Sequence, residues 1–227
     1  MSKPADLTRL RIDEFLDQLR ARTPTPGGGS AVALAGAVAA ALGHMVIAYS
    51  TKPDSDEATV RVMEETGRRL ARAEELLRAM ITHDAAAYAT LHEVSKRRKE
   101  SPNEGSYQEA VLAAAAVPFE VAAIASQVLM SLDEQRERIN PHLCSDLAVA
   151  AILAEAVAAA AAHLLETNAR ELEDRPRRER MIASMRAIGL RCRSTRDQIE
   201  SFVSTTLHRG AATAKVEMKP PTLANGH

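Results

Sequence analysis

Apolar residues recur along this chain at helical spacing, with no sustained run of alternation that would signal strands. Leu7, Leu10, Phe15, Leu16 and Leu19 return every three or four positions among charges, predicting an amphipathic first helix that ends before Pro24 and Pro26. Residues 23–30, Thr-Pro-Thr-Pro-Gly-Gly-Gly-Ser, then read as a turn, with Ser30 or a neighbouring glycine capping a second helix over residues 31–49. That helix is apolar on every side, mostly Ala and Gly with His44 inside it, and reads as a buried core helix rather than a membrane span.

The later pattern is helical again. After Pro53, Asp54 and Ser55, residues 57–99 predict a long helix with Val60, Met63, Leu70, Leu77, Ile81 and Leu91 on its apolar side. A loop at 101–105 leads to a fourth helix reaching about residue 138, kinked at Pro118. Asn140-Pro141 opens a turn, Ser145-Asp146 offers a cap for an Ala-rich fifth helix, and a last helix runs from about 176 to 210. Residues 1–210 are expected to form one domain. Residues 211–227, with Lys219-Pro220-Pro221 and no periodic face, are expected to be a mobile tail.

Composition sharpens this to an all-α bundle of about six helices: alanine dominates the apolar fraction and aromatics make up 3% of the 227 residues. Two helices without a polar face need more cover than one bundle supplies, so a homodimer or higher homo-oligomer is expected. Lys plus Arg number 29 against 30 Asp plus Glu, which argues against a nucleic-acid or anionic-membrane partner. Cys144 and Cys192 make no C-x-x-C pair and read as free thiols; with no signal-like opening, the expected compartment is the cytoplasm. His142, Cys144 and His163 lack the helical spacing of zinc ligands, and no metal is expected.

The segment Pro24-Thr25-Pro26-Gly27-Gly28-Gly29-Ser30, running into Ala31-Val32-Ala33-Leu34-Ala35-Gly36-Ala37, resembles the opening of the cyclodeaminase/cyclohydrolase family. The resemblance continues through Asp84-Ala85-Ala86-Ala87-Tyr88, Val117-Pro118 and Ser145-Asp146-Leu147-Ala148-Val149-Ala150, covering residues 7 to about 210. It implies a helical, dimeric enzyme acting on a tetrahydrofolate one-carbon adduct, either hydrating the methenyl group or releasing ammonia from the formimino group. The absence of a fused formiminotransferase half leans the expectation toward cyclohydrolase. Two other readings fit the same residues: a non-catalytic folate- or partner-binding dimer, and the same scaffold acting on a related amidine.

Either folate reaction moves protons around an amidine-like carbon, which a carboxylate on a rigid helix suits. Asp84 interrupts the apolar run Met80, Ile81, Ala85, Ala86, Ala87, and the resemblance aligns it with the family's catalytic aspartate. Tyr88, one turn on, is expected to pack in the core, with its ring lining the substrate pocket and its hydroxyl polarising Asp84 as the alternative. Gly27, Gly28, Gly29 and Ser30 are candidates to bring backbone N–H groups close to a ligand. Ser145 and Asp146 are a cap pair to which the resemblance adds a ligand-facing role, and Asn168, which matches a family asparagine of the fifth helix, is a candidate to face folate or another subunit. The sequence departs from the family at Thr51-Lys52-Pro53-Asp54-Ser55-Asp56, where many members carry a basic, aromatic stretch, and at His142 and Leu164, where asparagines are usual.

Overall fold

The computed structural model describes residues 6–52, 55–98 and 104–217, the last stretch with its side chains over 105–208. Six α-helices occupy most of them: α1 (Ile12–Arg20), α2 (Gly28–Ser50), α3 (Glu57–Arg98), α4 (Glu104–Gln135), α5 (Cys144–Ala169) and α6 (Arg175–Glu217). The fold is all-α, as the periodicity predicts. The expected first helix divides in two, because Arg11 N–H donates to Glu14 (2.9 Å) and starts α1 afresh after a short 3-10 turn at Leu7–Arg9. Likewise α6 runs on past residue 210 to Glu217. The rest of the expected tail, residues 218–227, lies outside the described residues.

Small residues set how the helices meet. Gly29, Gly36 and Gly43 lie one heptad apart on one line of α2, and two of them receive leucine methyls. A Cβ on Gly36 would lie 3.0 Å from Leu77 of α3, and one on Gly43 would lie 3.0 Å from Leu132 of α4. The α3 partners repeat with the same period: Leu70 and Leu77 are fully buried, and Asp84 takes the next place in that row. A carboxylate thus stands where the seam elsewhere holds leucine.

α2 packs on α3 and α5, α4 fills in beside both, and α6 closes α5 and α4. The Met185, Ile188, Cys192, Ile199 and Val203 stripe of α6 faces the core. α2 runs antiparallel to α5: Gly28 meets Leu164, Gly36 meets Val157, and Asn140 N–H just before α5 donates to Ser50 at the end of α2 (2.9 Å). The start of α2 therefore shares one end of the bundle with Asp84, the start of α4 and the end of α5.

Pro118 removes one N–H from α4 and leaves the Ala114 carbonyl, four residues earlier, without its helical donor. The side-chain amide of Asn168 on α5 donates to that carbonyl at 2.7 Å. The break is thereby closed across the helix interface.

The expectation of all-round burial for the second and fifth helices is met only in part. Ala33, Ala39, Ala40 and Val46 of α2 are fully buried, but Val38 and Tyr49 are 50% and 73% exposed, and Val149 and Ile152 of α5 are 47% and 44% exposed. Three stretches, Gly28–Ser50, Gly105–Arg138 and Pro141–Ala169, are long and apolar enough to cross a membrane by length and composition. Here they form the middle of the bundle, flanked by the charged helices α3 and α6.

Candidate active site

The site begins with a helix that starts against a carboxylate. Gly27 is the N-cap of α2 in extended backbone, and Gly28, Gly29 and Ser30 form its first turn, whose N–H groups have no partner inside the helix. Asp84 of α3 lies directly on that turn. A Cβ on Gly29 would sit 1.9 Å from Asp84 Oδ1 and 2.4 Å from its Cγ, so only glycine lets the carboxyl occupy this place. The same construction leaves Gly27 and Gly28 with ordinary contacts, at 3.9 Å to Pro24 O and 3.6 Å to Leu164.

Ser30 fixes the carboxyl from below. Its side chain is fully buried, and its hydroxyl oxygen is 2.9 Å from Ile81 O and 3.1 Å from Asp84 Oδ2. Burial pushes the Asp84 carboxyl above the usual carboxylate range, while the hydroxyl and N–H of Ser30 hold it down part of the way. The positive end of the α2 dipole acts in the same sense as Ser30. Asp84 is thus a half-buried acid held against the first turn of α2, its proton affinity raised by burial.

Beyond Asp84, α3 continues past the start of α2 to Arg98, an overhang of roughly 20 Å. Tyr88 and His92 follow Asp84 on the same face at one-turn intervals. Tyr88 does not pack into the core as expected: it is 47% exposed, and its ring lies nearly parallel to that of His92 with centroids 6.3 Å apart. The cause is the overhang, which carries this stretch of α3 beyond any cover from α2. A shallow apolar hollow of about 270 Å³ opens one residue past Ser30, lined by Ala31, Val32 and Ala35 of α2 and Leu153, Ala156 and Ala160 of α5.

The other expected residues are distributed unevenly. Asn168 is at the same end as Asp84, with one of its two amide N–H groups donated to Ala114 O. Ser145 and Asp146 are not the cap of α5; the helix starts at Cys144 after a 3-10 turn, Pro141–Leu143, that Asn140 caps by accepting from His142 N–H at 3.1 Å. Antiparallel packing puts both at the far end of the bundle, Asp146 roughly 27 Å along α5 from Leu164, so within one protomer they do not join Asp84. Lys52 follows α2 at that same far end, and Pro53 and Asp54 lie outside the described residues. His142 and His163 are separated by the length of α5, and among the described residues no three His, Cys, Asp or Glu side chains converge. Missed in the sequence were the Ser30 to Ile81 contact and the tie between Asn168 and the Pro118 gap. The first involves a backbone oxygen that leaves no mark in a sequence, whereas the second was signalled by a proline in a helix.

The sequence model of the family described as Formiminotransferase-cyclodeaminase matches residues 11–187. A methenyltetrahydrofolate cyclohydrolase of Methylorubrum extorquens is 32% identical over 172 residues, which span 72% of this chain and 81% of that protein. A formimidoyltransferase-cyclodeaminase of Mus musculus is 33% identical over 148 residues, 60% of this chain and 26% of that longer protein. Among solved structures, a formiminotetrahydrofolate cyclodeaminase of Thermotoga maritima is similar with a TM-score of 0.81 and 26% identity, over 88% of this chain and 98% of that one.

Proposed function

The chain belongs to the formiminotransferase-cyclodeaminase family, and from that premise we propose that it is an enzyme of folate one-carbon chemistry whose acid/base group is Asp84. The reaction is methenyltetrahydrofolate hydrolysis or formiminotetrahydrofolate cyclodeamination. The observation that carries the assignment to Asp84 is its carboxyl seated on Gly29 and Ser30, in a seam position that otherwise holds leucine.

Both reactions ask the same thing of that group. In hydrolysis, water adds to the carbon between N5 and N10, and a base takes its proton before an acid returns one to the departing nitrogen. In cyclodeamination, N10 attacks the formimino carbon and the departing nitrogen must be protonated to leave as ammonia. A carboxyl whose proton affinity is raised by burial can hold that proton between the two halves of either sequence. Its negative form also faces the cationic amidine carbon. The exposed Tyr88 and His92 rings, leading outward from Asp84, supply a surface on which a flat pterin can stack. Free N–H groups at the Gly27, Gly28 and Gly29 turn suit its oxygen.

The assembly we propose is a homodimer, supported by the uncovered apolar stripes of α2 and α5. Residues 145 and 146 then have a place at an end of that face rather than beside Asp84 of their own protomer. Two buried, unpaired cysteines, their thiols pushed up by burial, fit a cytoplasmic setting and no thiol chemistry. A near-neutral chain fits a reaction without nucleic acid.

The test is turnover of methenyl- and formiminotetrahydrofolate by wild type and Asp84→Asn. Wild-type turnover on one of them, reduced by about 10²-fold or more in the variant, is expected; no wild-type turnover on either sinks the reading. The same variant reports on the fold. Because the folded-state pKa of Asp84 is raised, the folded protein holds that proton more tightly than the unfolded chain, and wild-type stability falls as pH rises through and above the ordinary carboxylate value. Asp84→Asn is therefore expected to melt higher than wild type at neutral pH, with the difference closing in acid.

A further inference from the structure

The Ser30 hydroxyl has one proton and two acceptors, Ile81 O at 2.9 Å and Asp84 Oδ2 at 3.1 Å. Since it cannot donate to both, the arrangement has two complete states. With Asp84 ionised, the hydroxyl donates to Oδ2. With Asp84 protonated on Oδ2, the acid donates to the Ser30 oxygen and the hydroxyl turns to Ile81 O, forming one chain from Asp84 through Ser30 to the backbone. Neither state leaves a buried donor without an acceptor, and neither needs Asp84 to change rotamer.

We propose that Ser30 is a positioning residue that works as a two-way hydrogen-bond switch, letting Asp84 pass between acid and base without leaving its seat on α2. The inference rests on the reading of Asp84 as the acid/base group and adds how that group cycles. In each cycle Asp84 Oδ2 loses its proton to the departing nitrogen, the Ser30 O–H rotates from Ile81 O to Oδ2, and the reverse rotation accompanies the proton's return from water or substrate. Bonds and charge balance at every stage: one O–H breaks as one N–H forms, and the other changes are two torsions, that of the Asp84 acid O–H, which turns from the Ser30 oxygen toward the substrate before giving up its proton, and that of the Ser30 hydroxyl.

Three features favour a switch over a simple tether. The serine is sealed from solvent, so water does not substitute for either acceptor. Its backbone N–H also favours the ionised carboxylate, so the hydroxyl is not the sole support of that form. Ile81 O lies within α3 and has its own helical donor, so the second acceptor costs nothing when the hydroxyl turns away. The titratable groups around Asp84 are few: His83 and Tyr88 on its own helix, and His163 and Glu166 on α5 flanking the Leu164 that packs on Gly28. The first turn of α2 adds none, and α4 at this level is residues 113–117, all apolar.

The experiment is a carboxyl carbon NMR titration of Asp84, assigned by difference with Asp84→Asn, in wild type and Ser30→Ala, alongside pH profiles of kcat and KM on whichever folate adduct is turned over. In Ser30→Ala, Asp84 is expected to titrate at higher pH, the matching limb of the kcat profile to move the same way, and kcat to fall by about tenfold or more with KM little changed. Ser30→Thr, which keeps the hydroxyl, is expected to restore both. Where Ser30→Ala does not fold, Ser30→Cys, similar in size with a weak donor, carries the same comparison. An unchanged Asp84 titration in the variant that lacks a good donor overturns the switch, as does loss of kcat with no movement of the profile. A wild-type protein inactive on both adducts counts against the functional reading instead, and the titration still decides the switch.

Discussion

At the scale of single residues, three adjacent glycines have three different reasons to be there. None has a positive φ, so backbone freedom is not what any of them supplies. Gly27 and Gly28 have room for a methyl group, whereas Gly29 is held to glycine by the Asp84 carboxyl alone. The atoms that a methyl on Gly29 would meet belong to a side chain that can turn away, so Gly29→Ala displaces the carboxyl rather than breaking the helix. Gly29→Ala is expected to fold with near wild-type melting temperature and to lose turnover by about 10²-fold, the scale expected when a reacting group moves by an ångström. Gly28→Ala is expected to be as stable as wild type or slightly more so. Paired melting curves and kinetics check both; a Gly29→Ala variant with normal kcat shows that Asp84 does not act from this seat. The triplet was visible in the sequence, but its division of labour was not, because only the crossing of α2 and α3 tells which glycine meets Asp84.

At the scale of helices, what could be read in advance followed from period and punctuation. The approximate bounds of α2 and α3 follow from apolar spacing and from the Pro53, Asp54 and Ser55 interruption, while the residue that caps α3 is Asp56, which accepts from Thr59 N–H at 2.9 Å. What could not be read was which helix ends coincide. Ser145 and Asp146 looked like site residues, yet the antiparallel run of α2 and α5 carries them to the far end, and no local pattern encodes that direction. Asn168 shows the converse. One of its amide N–H groups supplies the donor that Pro118 withholds from Ala114, a structural task beside any contact with a ligand. The two residues should therefore be energetically coupled. Asn168→Ala is expected to cost about 1–3 kcal/mol by leaving a buried carbonyl unpaired, and much less in a Pro118→Ala background where the helix restores its own N–H. A double-mutant cycle by denaturant unfolding measures this directly, and additive effects would remove the structural explanation of Asn168.

At the scale of the whole molecule, the surface is divided by chemistry. α3 and α6 carry charge along their outer faces, including exposed helical pairs such as Arg61 with Glu57 and Arg175 with Glu179. Such pairs contribute little stability, but they keep those faces in water. α2 has no Asp, Glu, Lys or Arg at all, and α5 has no Lys or Arg. Ala31, Ala35, Val38, Leu42, Met45 and Tyr49 recur at three- and four-residue steps along the open side of α2, with Val149, Ile152 and Ala156 beside them on α5. A water-exposed stripe of this length on a monomer is unfavourable, and in the proposed homodimer a second copy of the same face would cover it. Val38, half exposed near the middle of α2, is where a charge does most harm to that contact and least to the protomer's own core. Val38→Glu is accordingly expected to shift the protein from dimer to monomer at micromolar concentration in sedimentation velocity, while far-ultraviolet circular dichroism stays helical. A wild-type protein that sediments as a monomer, or a Val38→Glu variant that remains dimeric, would place the contact elsewhere. If the monomer also loses turnover although Asp84, Ser30 and Gly29 are untouched, the dimer is needed to wall the substrate against the overhang of α3; if it keeps turnover, the site is complete within each protomer.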